Sequence, residues 1–130
     1  AAQMPINAAD VHADSFTRIA LPACEARGVE VLGMKPLGSG DLLIDGDMDA
    51  AELLRWALGQ PLSVCVTGCE TLHEVDQAAL ARESFTPMSQ AEESDLEARA
   101  GRALDDRRIV ESYKRTAAHD STSRHPEWLE

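Results

Sequence analysis

The sequence predicts an α/β fold built on a parallel sheet. Three short apolar segments, at residues 2–6, 29–35 and 62–67, each precede a segment whose apolar residues have helical spacing. Apolar runs bounded by turn residues are typical of buried strands, and strands that alternate with helices are typical of βαβ units. We therefore expect three parallel strands, each followed by a helix, in a sheet that is covered on both faces.

The helix of the first unit is predicted to begin at Ser15. Phe16 and Ile19 lie on its apolar side. Pro22 either kinks this helix or marks its real beginning, because proline is tolerated only in the first turn. Gly28 is the predicted left-handed stop.

The central stretch, residues 29–44, combines the second strand with a glycine-rich turn. Pro36 cannot donate to a sheet ladder, so the strand should end near Lys35. Gly38 and Gly40 follow at the carboxyl end of the strand, where α/β folds place their ligands. Glycine there lets the backbone approach a ligand closely.

The other helices are predicted from their start signals. Capping boxes at residues 49–52, 71–74 and 89–92 begin helices that end near Gly59, Glu83 and Leu104. We assign residues 1–104 to the domain and residues 105–130, where periodicity is lost, to a tail laid over its surface.

Composition excludes several classes of function. A formal charge of -11, from 23 acidic and 12 basic residues, argues against nucleic acid as a partner. No apolar run reaches membrane-spanning length and no signal-peptide pattern is present, so a cytoplasmic location is expected. The three cysteines do not form a disulfide framework, and the pair Cys65 and Cys69 lacks the second close pair of a structural zinc site, so no metal is predicted.

Several motifs, taken together, resemble one enzyme family. In chain order they are Gln3-x-Pro5-x-Asn7, GMKPLGSG at 33–40, LRWAL at 54–58, VTGC at 66–69 leading into Thr71-x-x-Glu74, and PEWL at 126–129. Their order and spacing are similar to the last three strand-helix units and the C-terminal tail of an aldo/keto reductase.

The resemblance implies a partial (β/α)8 TIM barrel that contains its sixth, seventh and eighth strands, since a full barrel takes about 250 residues. Members of the family use NADP(H) to reduce carbonyls by hydride transfer. Their catalytic Asp, Tyr, Lys and His come from earlier strands and have no counterpart here. We therefore predict no catalytic residue, and we expect this chain alone to be inactive, with the carbonyl substrate bound only by the complete protein.

The resemblance also implies a dinucleotide site at the strand ends. Gln3 would hold the nicotinamide carboxamide, and Met34 would lie where an aromatic ring often stacks on the nicotinamide. The remaining residues would lie beside the pyrophosphate or around the adenosine phosphate: Pro36, Leu37, Gly38, Ser39, Gly40, Gly68, Cys69, Glu70, Thr71 and Glu74. Independently of the family, the free amides and dipole at the start of the third helix predict an anion site.

Two alternatives to this assignment follow from the residues themselves. Thr71 and Glu74 form a capping box whether or not a ligand binds, and methionine at position 34 is also a common filler of core gaps. Glu70 stands where family members often place Ser, Lys or Arg near the 2′-phosphate, and Ala78 replaces an Asn that contacts adenine in relatives. The choice between NADP and NAD therefore stays open.

A rival interpretation is a non-enzymatic binding or assembly module built on a partial barrel. The abrupt start at Ala1 favours a fragment over this module. In both interpretations three strands cannot close a barrel, so the sheet edges and an inward face carrying Val31, Val64 or their neighbours would lack a partner. We expect self-association, or dependence on the missing part of the barrel.

Overall fold

The protein's structure is a computed structural model that describes residues 1–12 and 14–105. Its three strands are β1 (Ala2–Pro5), β2 (Val31–Met34) and β3 (Val64–Val66), and they form one parallel sheet in the order β1-β2-β3. Each strand lies inside its predicted segment. The predicted α/β fold with a parallel sheet is therefore confirmed.

Four helices follow the strands: α1 (Leu21–Glu25), α2 (Ala50–Leu58), α3 (Leu72–Glu83) and α4 (Gln90–Asp105). The full capping box predicted for α3 is present, with Thr71 and Glu74 bonding reciprocally. At α2 only half of it forms: Asp49 accepts the amide of Glu52, while the Glu52 carboxylate pairs with Arg99. The predicted tail lies outside the described residues, except for Asp105 at the end of α4.

The first helix differs from its predicted form. A π-helical turn at Phe16–Ala20 precedes α1, and Pro22 lies in the first turn of α1. Ile19, predicted on the apolar side, is 68% exposed, whereas Leu21 is 1% exposed. The prediction for Ile19 was wrong because the chain changes from π-helical to α-helical geometry just before Pro22. A single period of 3.6 residues therefore does not apply to the whole segment. Gly28, with φ +63°, is confirmed in the left-handed conformation.

Two buried polar residues hold the connection from β1 to this first helix. Asn7 Oδ1 accepts two backbone amides at 3.1 and 3.0 Å. The Asp10 carboxylate accepts the Ser15 hydroxyl at 2.8 Å and the amides of Phe16 and Thr17 at 3.1 and 2.8 Å. Both side chains are almost inaccessible to solvent. Their hydrogen bonds compensate for the cost of burying polar groups and fix the reversal of the chain.

The two faces of the sheet have different environments. Val31 and Gly33 of β2 lie on the buried face, which belongs to the main core with Leu53, Trp56 and Leu96 of α2 and α4. Side chains alternate along a strand, so Leu32 and Met34 lie on the opposite face. The aligned residues of β3, Val64 and Val66, are 48% and 41% exposed.

This exposure corrects two expectations. The described part of the chain does not cover the sheet on both faces. Val31, predicted on the open inward face, is 3% exposed and faces the core, while Val64 is exposed as predicted. The strand pattern could not distinguish the two faces, because both carry apolar residues.

Candidate functional site

A cavity of about 630 Å³ lies where β2 and β3 end and α3 begins. Its wall is formed by three segments of the chain: the turn after β2, the start of α2 and the loop that leads from β3 into α3. The residues that line it are Met34, Lys35, Pro36, Leu37, Ser39, Gly40, Leu43, Ala50, Leu54, Val66, Thr67, Gly68, Cys69, Glu70, Glu74, Gln77 and Ala78. Its volume lies within the range of about 300–1,000 Å³ that is usual for small-molecule sites.

The turn after β2 gives the cavity a wall rich in backbone. Lys35, Gly38, Ser39 and Gly40 all have positive φ, between 56° and 95°. The amide of Gly38 donates to Lys35 O at 3.0 Å, and the amide of Gly40 donates to Leu37 O at 2.9 Å. Two successive tight turns therefore curl the chain. Glycine suits two of these positions because left-handed backbone conformations are unfavourable for other residues.

Gly38 also anchors the turn to the core. A Cβ atom at this position would lie 3.1 Å from Leu42 Cγ, and Leu42 is 2% exposed. The residue thus faces the protein interior, which explains why it does not line the cavity although its neighbours do. Its role is to let the turn pack closely, while Ser39 and Gly40 form the wall.

The loop before α3 forms the opposite wall and is organised by its own capping box. Glu74 Oε2 accepts the amide of Glu70 at 2.5 Å and that of Thr71 at 3.1 Å, and the amide of Glu74 donates to Thr71 Oγ1 at 3.3 Å. The backbone hydrogen bonds from Glu70 and then from Thr71 lower the pKa of the Glu74 carboxyl. The predicted anion site is therefore partly filled by a carboxylate of the helix itself.

The charges of the cavity wall are distributed unevenly. Among the described residues, Lys35 in the turn after β2 is the one cationic residue of the wall. Glu70 and Glu74 carry two carboxylates on the side of α3. The wall is thus basic at the turn after β2 and acidic at the start of α3, and it also contains apolar residues such as Leu43 and Leu54.

Most of the predicted cofactor residues meet at this cavity. Nine of them line it: Met34, Pro36, Leu37, Ser39, Gly40, Gly68, Cys69, Glu70 and Glu74. Gly38 and Thr71 do not line it and instead support its two walls. Gln3 lies beside it, because its side-chain amide donates to Met34 Sδ at 3.5 Å.

Sequence reasoning missed the contribution of α2. Leu54 and Ala50 line the cavity from the helix that follows the turn, and Gln77 lines it from α3. The apolar spacing of α2 was a signal that Leu54 faces inward. It did not show whether Leu54 packs in the core or faces a cavity, because that depends on how closely α3 approaches.

A second cavity, of about 430 Å³, lies behind β3 between α2 and α3. Its lining is largely apolar, with Leu54, Leu58, Leu62 and Phe85, and Arg82 also belongs to it. Cys65 lies in its wall, and burial raises the pKa of the Cys65 thiol. The packing of α3 on the sheet is therefore loose.

Other site types have no counterpart in the residues described. Residues 1–12 and 14–105 contain no cluster of three or more His, Cys, Asp or Glu side chains suited to a metal ion. Over the same residues, no helix combines the length and apolar character needed to cross a bilayer.

We compared the chain with known proteins in three ways. No family model, no curated protein and no solved structure matches it.

Proposed function

We propose that this chain is the C-terminal part of an aldo/keto reductase-like (β/α)8 barrel and that its cavity binds a nicotinamide dinucleotide, NADP or NAD. The three parallel strands would be the sixth, seventh and eighth of that barrel. A cytoplasmic location belongs to the same proposal. The complete protein would transfer hydride between the dinucleotide and a carbonyl substrate.

One observation carries this proposal: residues assigned to the cofactor from two separate segments meet at a single cavity. Residues 34–40 and 68–74 are far apart in the chain, and residues of both segments line the same cavity. The cavity that joins them lies at the carboxyl ends of parallel strands, which is the usual position of ligands in α/β folds.

The residues of the cavity suit the parts of a dinucleotide in different ways. The glycine turn at its basic end offers a close backbone approach and Lys35 for the pyrophosphate. The apolar lining residues Leu43 and Leu54 suit the adenine ring. The amide of Gln3, positioned by its contact with Met34, can donate to the nicotinamide carboxamide.

Hydride transfer needs groups beyond those of this cavity. A general acid must lie within hydrogen-bond reach of the carbonyl oxygen, about 3 Å away. The only tyrosine of the chain, Tyr113, lies outside the described residues, and no Tyr-Lys pair with the family's spacing is present in the sequence. We therefore expect the isolated chain to bind dinucleotide without reducing an aldehyde. Reduction that depends on NADPH and is lost in Tyr113→Phe would contradict this expectation.

The test of the site is a titration of the chain with NAD and with NADP, followed by backbone chemical shifts. Ser39, Gly40 and Gly68 should shift first. Ala78→Phe should weaken binding at least severalfold, because the ring fills the cavity from α3. Ala79→Phe is the matched control, since Ala79 is exposed and does not line the cavity. Equal binding by both variants, or shifts elsewhere only, would place the nucleotide outside this cavity.

The second candidate function is a non-enzymatic binding or assembly module. It is favoured by the sheet face that carries Val64 and Val66, which are 48% and 41% exposed. Large exposed apolar patches are typical of interaction surfaces. A chain that binds neither nucleotide but forms a stable complex through this face would support the module over the reductase fragment.

A further inference from the structure

We propose that Glu70 makes this cavity select NAD(H) over NADP(H), an inference that rests on the proposed dinucleotide site. The acidic end of the cavity would accept the two free hydroxyls of the adenosine ribose. It would reject the second phosphate that distinguishes NADP. Glu70 is thus the residue that determines cofactor specificity.

The two amides immediately before α3 are already bonded within the protein. Glu74 already accepts the amides of Glu70 and Thr71, the two donors immediately before the helix. A phosphate that used these two amides would have to displace the Glu74 carboxylate, and their hydrogen bonds favour its charged form by lowering its pKa. The capping box therefore occupies the amides of Glu70, Thr71 and Glu74 with side chains of the same segment.

Glu70 adds a carboxylate that has no partner among residues 1–12 and 14–105. Its side chain makes no hydrogen bond or ion pair with any residue that the structure describes. It is exposed and lies in the cavity wall. A carboxylate is an acceptor only, so it matches hydroxyl donors of a ribose and repels the oxygens of a phosphate. Sites that select NAD commonly use an acidic residue on the ribose 2′-hydroxyl for this reason.

The positive charge that could compensate a bound phosphate lies in a different segment from Glu70. Lys35 is the one cation among the described residues of the wall, and it belongs to the turn after β2 and not to the loop before α3. The acidic end thus contains two carboxylates and no Lys or Arg among the wall residues. A pyrophosphate beside the glycine turn is compatible with this arrangement, but a further phosphate beside Glu70 is not.

The experiment measures dissociation constants of the whole chain for NAD and for NADP at low ionic strength. We expect NAD to bind about tenfold tighter or more, since repulsion between a carboxylate and a doubly charged phosphate at about 4 Å is of that order even at high dielectric constant. Glu70→Gln should bring the two constants close together, and Glu70→Lys should reverse the preference. The preference should shrink as salt is added.

Glu83→Lys is the matched control, because it makes the same change of charge at the exposed carboxyl end of α3, far from the loop that carries Glu70. It should leave the ratio of the two constants unchanged. Equal or tighter binding of NADP by the unmodified chain, or equal effects of the two lysine variants, would overturn the selection by Glu70 while leaving the dinucleotide site intact. Failure to bind both nucleotides would refute the site and the inference together.

Discussion

The last two helices of the described chain, α3 and α4, are packed very differently. α4 lies against the core, where Leu96 and Ala100 are fully buried and Trp56 of α2 is 2% exposed. α3 contains no buried residue, and Leu72 and Leu80 on it are 84% and 61% exposed. Both helices are long and regular. The difference in their burial therefore reflects how much apolar surface of the rest of the chain packs against each of them.

Polar contacts follow the same division. Arg55 of α2 donates to Thr86 O and Pro87 O at 2.8 and 2.9 Å and pairs with Glu92 at 2.8 Å, which holds the connector to α4 in place. Arg99 of α4 pairs with Glu52 of α2. Within the described residues, no salt bridge involves α3. The α4 side is therefore held by contacts within the described chain. The side formed by β3 and α3 instead leaves apolar surface and a cavity that a ligand or another chain could occupy.

The sharpest test of this division compares two leucine truncations. Leu96→Ala should destabilise the fold by about 2–5 kcal/mol, because it leaves a cavity in the core. Leu80→Ala should change the free energy of unfolding by less than about 0.5 kcal/mol, as expected for an exposed side chain. Urea denaturation followed by circular dichroism measures both.

A large loss of stability in Leu80→Ala would contradict the conclusion that α3 is packed less tightly than α4. It would mean that α3 contributes to the core of the folded chain through contacts other than those described. A small loss in Leu96→Ala would indicate that α4 is only loosely attached, and both outcomes would be visible in the same pair of measurements.

The local signals in the sequence were sufficient to predict the framework. Strand positions follow from short apolar runs and their turns, and the start of α3 follows from Thr71 and Glu74, because each depends on residues close together in the chain. The cavity was predicted as a set of residues only because a family resemblance joined residues 34–40 to residues 68–74.

Features that depend on distant residues were not predictable in this way. In the sequence Asp10 looks like any aspartate of a loop. In the structure it is buried and accepts hydrogen bonds from residues five to seven positions later in the chain. The partners of Arg55 and Arg99 lie 37 and 47 positions away. Such contacts are fixed by how the helices pack, and a charged residue in a helix has many equally plausible partners along the chain.

The second prediction concerns association through the open side. Val64 and Val66 form an exposed apolar strip on β3, and β1 and β3 are each paired on one side only among the described strands. Unpaired strand edges favour pairing with another chain. We expect the average mass in sedimentation equilibrium to rise with concentration.

Val66→Lys should weaken this association about tenfold or more, because it places a charge where association would bury an apolar side chain. Val29→Lys is the control, since Val29 has a similar exposed fraction of 36% but precedes β2 and lies outside the strip. A chain that stays monomeric at all concentrations, or equal effects of both variants, would show that the open face does not drive association.

The smallest expected effect is a pH dependence on the packed side. The hydrogen bond from Arg55, followed by the amide and hydroxyl of Ser89, lowers the pKa of Glu92 from 4.5 to about 2. Below pH 5 the unfolded chain therefore takes up a proton at Glu92 before the folded chain does. The contribution of this group to stability is fully present above about pH 5 and is lost as the pH falls toward 2.

Glu92→Gln should accordingly flatten the fall in the free energy of unfolding between pH 5 and pH 2, as measured by urea denaturation at several pH values. The pair is partly exposed, with 30% and 48% of the two side chains accessible, so solvent screens it and the change should be modest. Glu93→Gln removes a charge from the same turn without the Arg55 contact and is the matched control. If both variants show the slope of the unmodified chain, the Arg55 contact does not link α2 to α4 in solution, and the packed side depends on its apolar core alone.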